Sequence, residues 1–135
     1  MADKVNFELV SPERLLVSDA FDMVVIPGGD GDFGVLPDHA PLLSTIRPGI
    51  INVHDGGSIA HQIFVGGGFA EVLPDRCTVL AEDAIMVADI DRAKVEEDLR
   101  EAELSLRDAE TDHDRHRAQT NIVRLGAMLE AARNN

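Results

Sequence analysis

The sequence predicts an α+β chain: an antiparallel β-sandwich followed by an antiparallel two-helix hairpin. Three observations lead there. Before residue 88, short apolar segments recur about every ten residues between Gly, Pro, Asp and Ser turns, the texture of an antiparallel sandwich. After residue 88 there is no proline, Gly126 is the only glycine of 11, and apolar residues fall at helical spacing. No helical pattern lies between the early segments, which excludes the crossovers of parallel βαβ units.

The strands are taken in order. VNFELV, Val5 to Val10, alternates Val5, Phe7 and Leu9 with Asn6 and Glu8, the period of a half-buried strand. Further strands are expected at 14–18, 20–26, 49–55, 58–65, 69–73 and 77–87. Ser11-Pro12, Ser18-Asp19, Asp55-Gly56-Gly57, Gly66-Gly67-Gly68 and Pro74-Asp75 supply the turns between them. The helices come next. Val95, Leu99, Ala102, Leu106 and Ala109 form one i, i+4, i+7 stripe, and Ala118, Ile122, Leu125, Leu129 and Ala132 repeat it. The polar stretch Thr111 to Asp114 separates the two, so the helices fold back on each other, each about 30 Å long. Their Ala-rich stripes bury little area, and the hairpin is expected to be marginal alone. Domain boundaries are therefore 1–88 and 89–135.

Charge narrows the function classes. The chain has 135 residues, 44% of them hydrophobic, and a net charge of −13. It has no Trp or Tyr. Phosphate backbones would be repelled, and stacking platforms for bases are missing, so nucleic acid is excluded as a partner. Within the hairpin the charge is split. Asp89 to Asp114 has 4 basic and 11 acidic residues, and Arg115 to Asn135 has 4 basic and 1 acidic. The second helix, with Arg115, Arg117 and Arg124, is the one basic element, and ion pairs within the hairpin are expected. Cys77 is the only cysteine, which excludes an intramolecular disulfide and fits a reducing compartment. The N-terminal residues resemble neither a secretory signal nor an Arg-rich transit peptide. Apolar runs are far shorter than the roughly 20 residues of a membrane span, so no direct membrane insertion is expected.

Gly29, Gly31 and Gly34 match G-x-G-x-x-G, and Asp55 lies about twenty positions later, as in dinucleotide sites. Physical chemistry argues against that match. A pyrophosphate needs a helix N-terminus after the glycines, whereas Pro37 and Pro41 block a helix there. Asp30 and Asp32 would also repel phosphate. A calcium loop starting at Asp30 would need Gly and Glu where Val35 and Pro41 stand. The glycines are read instead as an exposed tight turn. His39, His54, His61, His113 and His116 show no metal spacing. Ser44 and Ser58 lie outside nucleophile elbows, and Cys77 opens an apolar strand. No catalytic residues, metal ligands or required cofactor are assigned.

The same stretch has a second frame. GDFGVLPDHAPLLSTIRPGI (31–50) resembles the signature of the epsilon subunit of F-type ATP synthases, and VGGGFAEVLPDRCTVLAEDA (65–84) resembles that family's second motif. The resemblance covers essentially the whole chain. It implies a sandwich of about ten strands and a regulatory C-terminal hairpin in a non-catalytic subunit of the central stalk. The implied partners are the gamma subunit, the c-ring and, through an extended hairpin, the catalytic alpha and beta subunits. The implied role is to couple proton-driven ring rotation to ATP synthesis. The implied location is peripheral, at the cytoplasmic face of the bacterial inner membrane. Carried over residue by residue, Gly31, Asp32, Gly34 and His39 become c-ring contacts, with Pro37 and Pro41 stiffening the loop. Arg115, Arg117 and Arg124 become contacts to the catalytic head. Some members bind regulatory ATP where Ile90-Asp91-Arg92-Ala93-Lys94-Val95 lies here. Asp91 matches that motif, whereas Lys94 replaces Arg and cannot make its planar bidentate contact. Asp91 and Lys94 are the candidate ATP residues. The rival from another class is a free-standing sandwich that binds a small molecule or peptide.

Overall fold

The fold is described from a computed structural model over residues 3–133. The chain divides between Met86 and Val87 into two compact units. The first holds ten strands: β1 (Val5–Val10), β2 (Leu15–Phe21), β3 (Met23–Gly28), β4 (Gly31–Val35), β5 (Leu42–Ile46), β6 (Gly49–Asp55), β7 (Ser58–Val65), β8 (Gly68–Leu73), β9 (Arg76–Ala81) and β10 (Ala84–Met86). They hydrogen-bond in the order β10-β7-β6-β3-β5-β8-β9-β1-β2, and β4 pairs with β3 off that path.

The sheet folds over itself into a sandwich. Val24, Ile26, Ile51, Val53, Ile63 and Val65 from one half share a single buried cluster with Phe7, Leu9, Ala70, Val72, Cys77 and Val79 from the other. The fold turns at the end of β3, which meets β5 only at Gly28 and Ile46. Alternation dictates this core. In β1 the residues Val5, Phe7 and Leu9 are buried while Asn6 and Glu8 are exposed, as period-2 patterning requires. Phe7 meets Phe21 edge to face at 6.4 Å, the preferred aromatic geometry.

The sandwich class holds, with refinements. One neighbouring pair, β1 with β9, is parallel; those strands are far apart in sequence, so no tight turn fixes their direction. Two strands were not expected. Gly31–Val35 is β4 rather than part of an exposed turn, and Leu42–Ile46 is β5. Both lack clean alternation, because β4 holds two glycines and β5 has exposed Leu42 and Leu43. The expected break at Ser18-Asp19 lies instead at Asp22. The segment 77–87 divides at Glu82-Asp83 into β9 and β10.

The second unit begins with a short 3-10 turn (Val87–Asp89) and continues as α1 (Arg92–Asp108) and α2 (Asp112–Arg133). At 1.5 Å per residue these are about 25 and 33 Å long. Only Ala109 to Thr111 separate them, and Asp112 to Asp114 already form the first turn of α2. Thr111 Oγ1 accepts the N–H of Asp114 at 3.0 Å, and that cap draws the acidic stretch into the helix. Val95, Ala102 and Leu125 are buried between the helices, with Leu99, Ile122 and Leu129 packed beside them. Of the six buried residues of the two helices, Ala102, Ala118, Ala131 and Ala132 are alanine, as the Ala-rich stripes predict.

Candidate functional site

The glycine-rich stretch is a two-residue β-hairpin. Gly28 pairs with Gly31 across the Gly29-Asp30 turn, and the ladder runs back to Val24 and Val35. The glycines are there because of crowding and backbone angle. A Cβ on Gly28 would lie 2.7 Å from the carbonyl oxygen of Gly31, and one on Gly29 would lie 2.5 Å from Thr45 Oγ1. Gly31 has φ +138°, a region that favours glycine. Beyond Gly34 the chain ends its strand at Val35 and enters a loop, so the glycines do not open a helix N-terminus. Of the three glycines of the G-x-G-x-x-G spacing, Gly29 and Gly31 are required by the hairpin turn, whereas Gly34, where a Cβ would meet only Met23 Sδ at an ordinary 3.5 Å, is not.

Arg47, in the turn between β5 and β6, braces this hairpin. Its Nη1 donates to the carbonyl of Gly28, and its Nη2 pairs with Asp32. Backbone bonds reinforce the attachment: Gly29 N–H donates to Thr45 O at 2.9 Å, and Arg47 N–H to Pro27 O at 3.0 Å. Asp30, at the apex, is exposed. β4 pairs with β3 alone, so it is an edge strand, and its brevity and Asp32 discourage unwanted strand pairing.

The structure splits the four ring-contact candidates. Gly31 and Asp32 lie together at the hairpin tip, and Gly34 lies further along β4. His39 is beyond the opposite end of β4, about 14 Å of strand away. There its Nδ1 lies 2.7 Å from the carbonyl of Ala40, and its backbone N–H bonds Leu36 O. The neighbouring Asp38, at φ +64°, donates its N–H to Pro74 O. The Pro37-to-Pro41 loop therefore packs toward the β8–β9 turn, away from the Gly29-Asp30 tip. At that far end Lys4 Nζ bridges Asp22 at 3.1 Å and Asp55 at 2.6 Å. The Gly56 N–H and Lys4 lower the Asp22 pKa, and the two carboxylates raise that of Lys4.

In the second unit, the candidate ATP residues hold local structure. Asp91 is the N-cap of α1, and its side chain accepts the Lys94 N–H. Lys94 Nζ pairs with Asp98 at 3.0 Å one turn on, and that bond raises the lysine's pKa. Arg115 pairs with Asp112 at 2.7 Å, and Arg124 donates to Asn121 at 2.7 Å. Arg117 is exposed and lines a cleft of about 360 Å³ between the helices, with Ser105, Asp108, Asp114 and Asn121. At 100° per residue, Arg117 and Arg124 fall within about 20° of each other and Arg115 on the other side of the helix. The pairs of Arg92, Lys94, Arg107, Arg115 and Arg133 each lie within one helix or at its end. The pairing expected within the hairpin thus runs along the helices in these cases.

One surface was missed. Phe69, Leu80 and Leu15 are 56%, 57% and 56% exposed. The register aligns Phe69 with Leu80, Leu80 with Val10, and Val10 with Leu15. They form an apolar row across the outer face of β8, β9, β1 and β2, with Leu43 exposed on β5 nearby. Apolar residues on both faces of β8 and β9 were the signal: Val79, Leu80 and Ala81 cannot all point into one core. Among the described residues no group of side chains could hold a metal ion, and no helix is long and apolar enough to cross a membrane.

Comparison with known proteins defines the class. The family described as "ATP synthase, Delta/Epsilon chain, beta-sandwich domain" matches residues 4–87. The "ATP synthase epsilon chain" of Paramagnetospirillum magneticum is 49% identical over 131 residues, covering 97% of this chain and 98% of that one. That of Parvibaculum lavamentivorans is 51% identical over 125 residues, covering 93% and 95%. In fold, the chain resembles one in the Euglena gracilis mitochondrial ATP synthase (OSCP/F1/c-ring), with TM-score 0.83, 23% identity and coverage of 98% of this chain and 82% of that one. It also resembles one in the Tetrahymena thermophila central stalk and c-ring, with TM-score 0.68, 15% identity and coverage of 96% of each. The chain belongs to the ATP synthase epsilon-chain family.

Proposed function

We propose that this chain is a non-catalytic central-stalk subunit of an F-type ATP synthase that couples c-ring rotation to ATP synthesis. The observation that carries this reading is the near-half identity to epsilon chains across both units of the chain, helices included. The geometry supports it in three places. A contiguous exposed apolar row marks a protein-binding surface, and here it docks on the gamma subunit. The braced β3–β4 hairpin is a stiff projection, and it meets the polar loops of the c-ring with its tip, the end of the strand pair where Gly31 and Asp32 lie, with Gly34 further along the same strand. His39 belongs to the opposite end and is not in that contact.

The helical hairpin supplies regulation. Four of its six buried helical residues are alanine, and the ion pairs of Arg92, Lys94, Arg115 and Arg133 run along each helix rather than between the two, so it can exchange between folded and extended forms. Extended, it presents Arg117 and Arg124 on one face to the alpha and beta subunits and hinders ATP hydrolysis, while Arg115, on the opposite face and paired with Asp112, lies outside that contact. ATP at Asp91 and Lys94 would have to compete with a helix cap and an ion pair. The subunit lies at the cytoplasmic face of the bacterial inner membrane, held there by its complex.

The test is affinity purification of the tagged full-length chain from detergent-solubilised membranes of its host, with mass spectrometry of the eluate. Recovery of the gamma, catalytic and ring subunits is expected. Recovery of the chain alone from the soluble fraction would overturn the reading in favour of a free-standing binding module.

A further inference from the structure

We propose that Arg47 is a positioning residue of the ring contact, and that by taking up Asp32 it leaves Asp30 as the carboxylate at the hairpin tip that meets a basic partner loop. This deepens the central-stalk reading and rests on it. Asp32 is the residue that the family resemblance selects, but its carboxylate is already neutralised by the Arg47 guanidinium. The same guanidinium holds the carbonyl of Gly28. One planar group thus ties two points on opposite strands of the hairpin to the β5–β6 turn, each through its own nitrogen.

The energetic context fits positioning rather than folding. The Arg47 and Asp32 side chains are 44% and 63% exposed, so the pair adds little to global stability. It fixes where an edge hairpin points. β4 has no second strand to hold it, and a contact that transmits torque through a hairpin needs a brace against bending. Asp30 sits beyond the brace, in the turn, and has no ion pair or hydrogen bond among the described residues. Its charge is available to a positively charged loop.

Two measurements test the proposal. In the isolated full-length chain, R47A should speed amide exchange along β4 by about three- to tenfold, while the melting temperature of the sandwich changes little. R47K should restore part of the protection, because lysine keeps the charge but lacks the rigid two-nitrogen fork. In the assembled complex, protons pumped per ATP hydrolysed should fall with R47A, with D32N and with D30N. D32N should add nothing in the R47A background, whereas D30N should lower the ratio further.

Unchanged β4 exchange in R47A would overturn the clamp. An equal loss from D32N with and without Arg47 would show that Asp32 itself faces the partner, and would overturn the assignment to Asp30. The exchange measurement needs no partner. A wild-type chain that fails to enter the complex therefore counts against the central-stalk reading, while the clamp is judged separately.

Discussion

Replacing Gly68 with alanine should disrupt the sandwich corner where β5, β8 and β9 meet. Gly68 pairs with Ile46 on one side and Ala81 on the other and has φ +144°. A Cβ there would lie 2.1 Å from the carbonyl oxygen of Leu80 and 3.0 Å from the Cα of Ala81. Both are backbone atoms, so no side-chain rotation relieves the overlap, and β8 must move about 1 Å from β9. The positive φ alone costs an L-residue about 1–3 kcal/mol. Loss of one ladder hydrogen bond as the strands part adds about 1–3 kcal/mol. The sum, roughly 2–6 kcal/mol, is a large fraction of the 5–15 kcal/mol that holds an ordinary domain. Urea denaturation of the full-length chain, followed by circular dichroism, should show the midpoint falling accordingly. Gly34→Ala is the control. Its Cβ would meet only Met23 Sδ, at an ordinary 3.5 Å, and stability should change by less than about 1 kcal/mol. A Gly68→Ala variant within about 1 kcal/mol of wild type would refute the argument from crowding.

Other consequences concern the docking face, the hairpin and the core thiol. Phe69→Glu with Leu80→Lys should abolish co-purification with the gamma subunit while leaving the urea midpoint nearly unchanged, since both side chains already face solvent and the new opposite charges pair across β8 and β9; retained co-purification would remove the apolar row from the interface. Gly126, inside α2, has open space where a Cβ would go, so Gly126→Ala should stabilise the helix by about 1 kcal/mol. It should also bias the hairpin population, read by limited proteolysis and by the ATPase rate of the complex; unchanged cleavage and ATPase rates would contradict this. Burial pushes the Cys77 thiol from 9.0 up to about 12. The folded state therefore keeps its proton while the unfolded state loses it. That contribution to stability is complete below about pH 9 and lost as pH rises toward 12, with a slope approaching about 1.4 kcal/mol per pH unit. Urea midpoints from pH 8 to 11 should fall more steeply for wild type than for Cys77→Ala, and equal slopes would refute the assignment.

Legibility in the sequence tracked the strength of each local signal. β1 alternates cleanly, and β6 and β7 are bounded by Asp55-Gly56-Gly57, so their ends were read correctly. The stripes of α1 and α2 were legible because Val95 and Ala102 in α1, and Ala118 and Leu125 in α2, recur at helical spacing. β4 was not legible, since Gly31, Asp32 and Gly34 have the composition of a turn and become a strand only by pairing with β3. The parallel β1–β9 pair depends on the closing of the whole sandwich. Charge type was legible, but charge pairing was not. Nothing near Ser44-Thr45-Ile46-Arg47 indicates that Arg47 reaches back 15 residues to Asp32. The Pro37-to-Pro41 loop adjoins the glycine turn in sequence, yet β4 carries it to the other end of the sandwich. That separation removes His39 from the tip, and sequence adjacency alone could not show it.

These features fit one mechanical description. Under the proposed reading, the sandwich closed by a single core is the rigid body, the apolar row on one outer face is the attachment, the braced hairpin is the lever, and the alanine-rich helical pair is the adjustable part.

The most direct test of the central claim is the ratio of protons pumped to ATP hydrolysed in purified ATP synthase from the host, stripped of this subunit and then reconstituted with it. Coupling through the chain predicts a low ratio in the stripped complex and its recovery on adding the full-length protein. A ratio unaffected by removal and return of the chain would contradict a role in coupling rotation to synthesis.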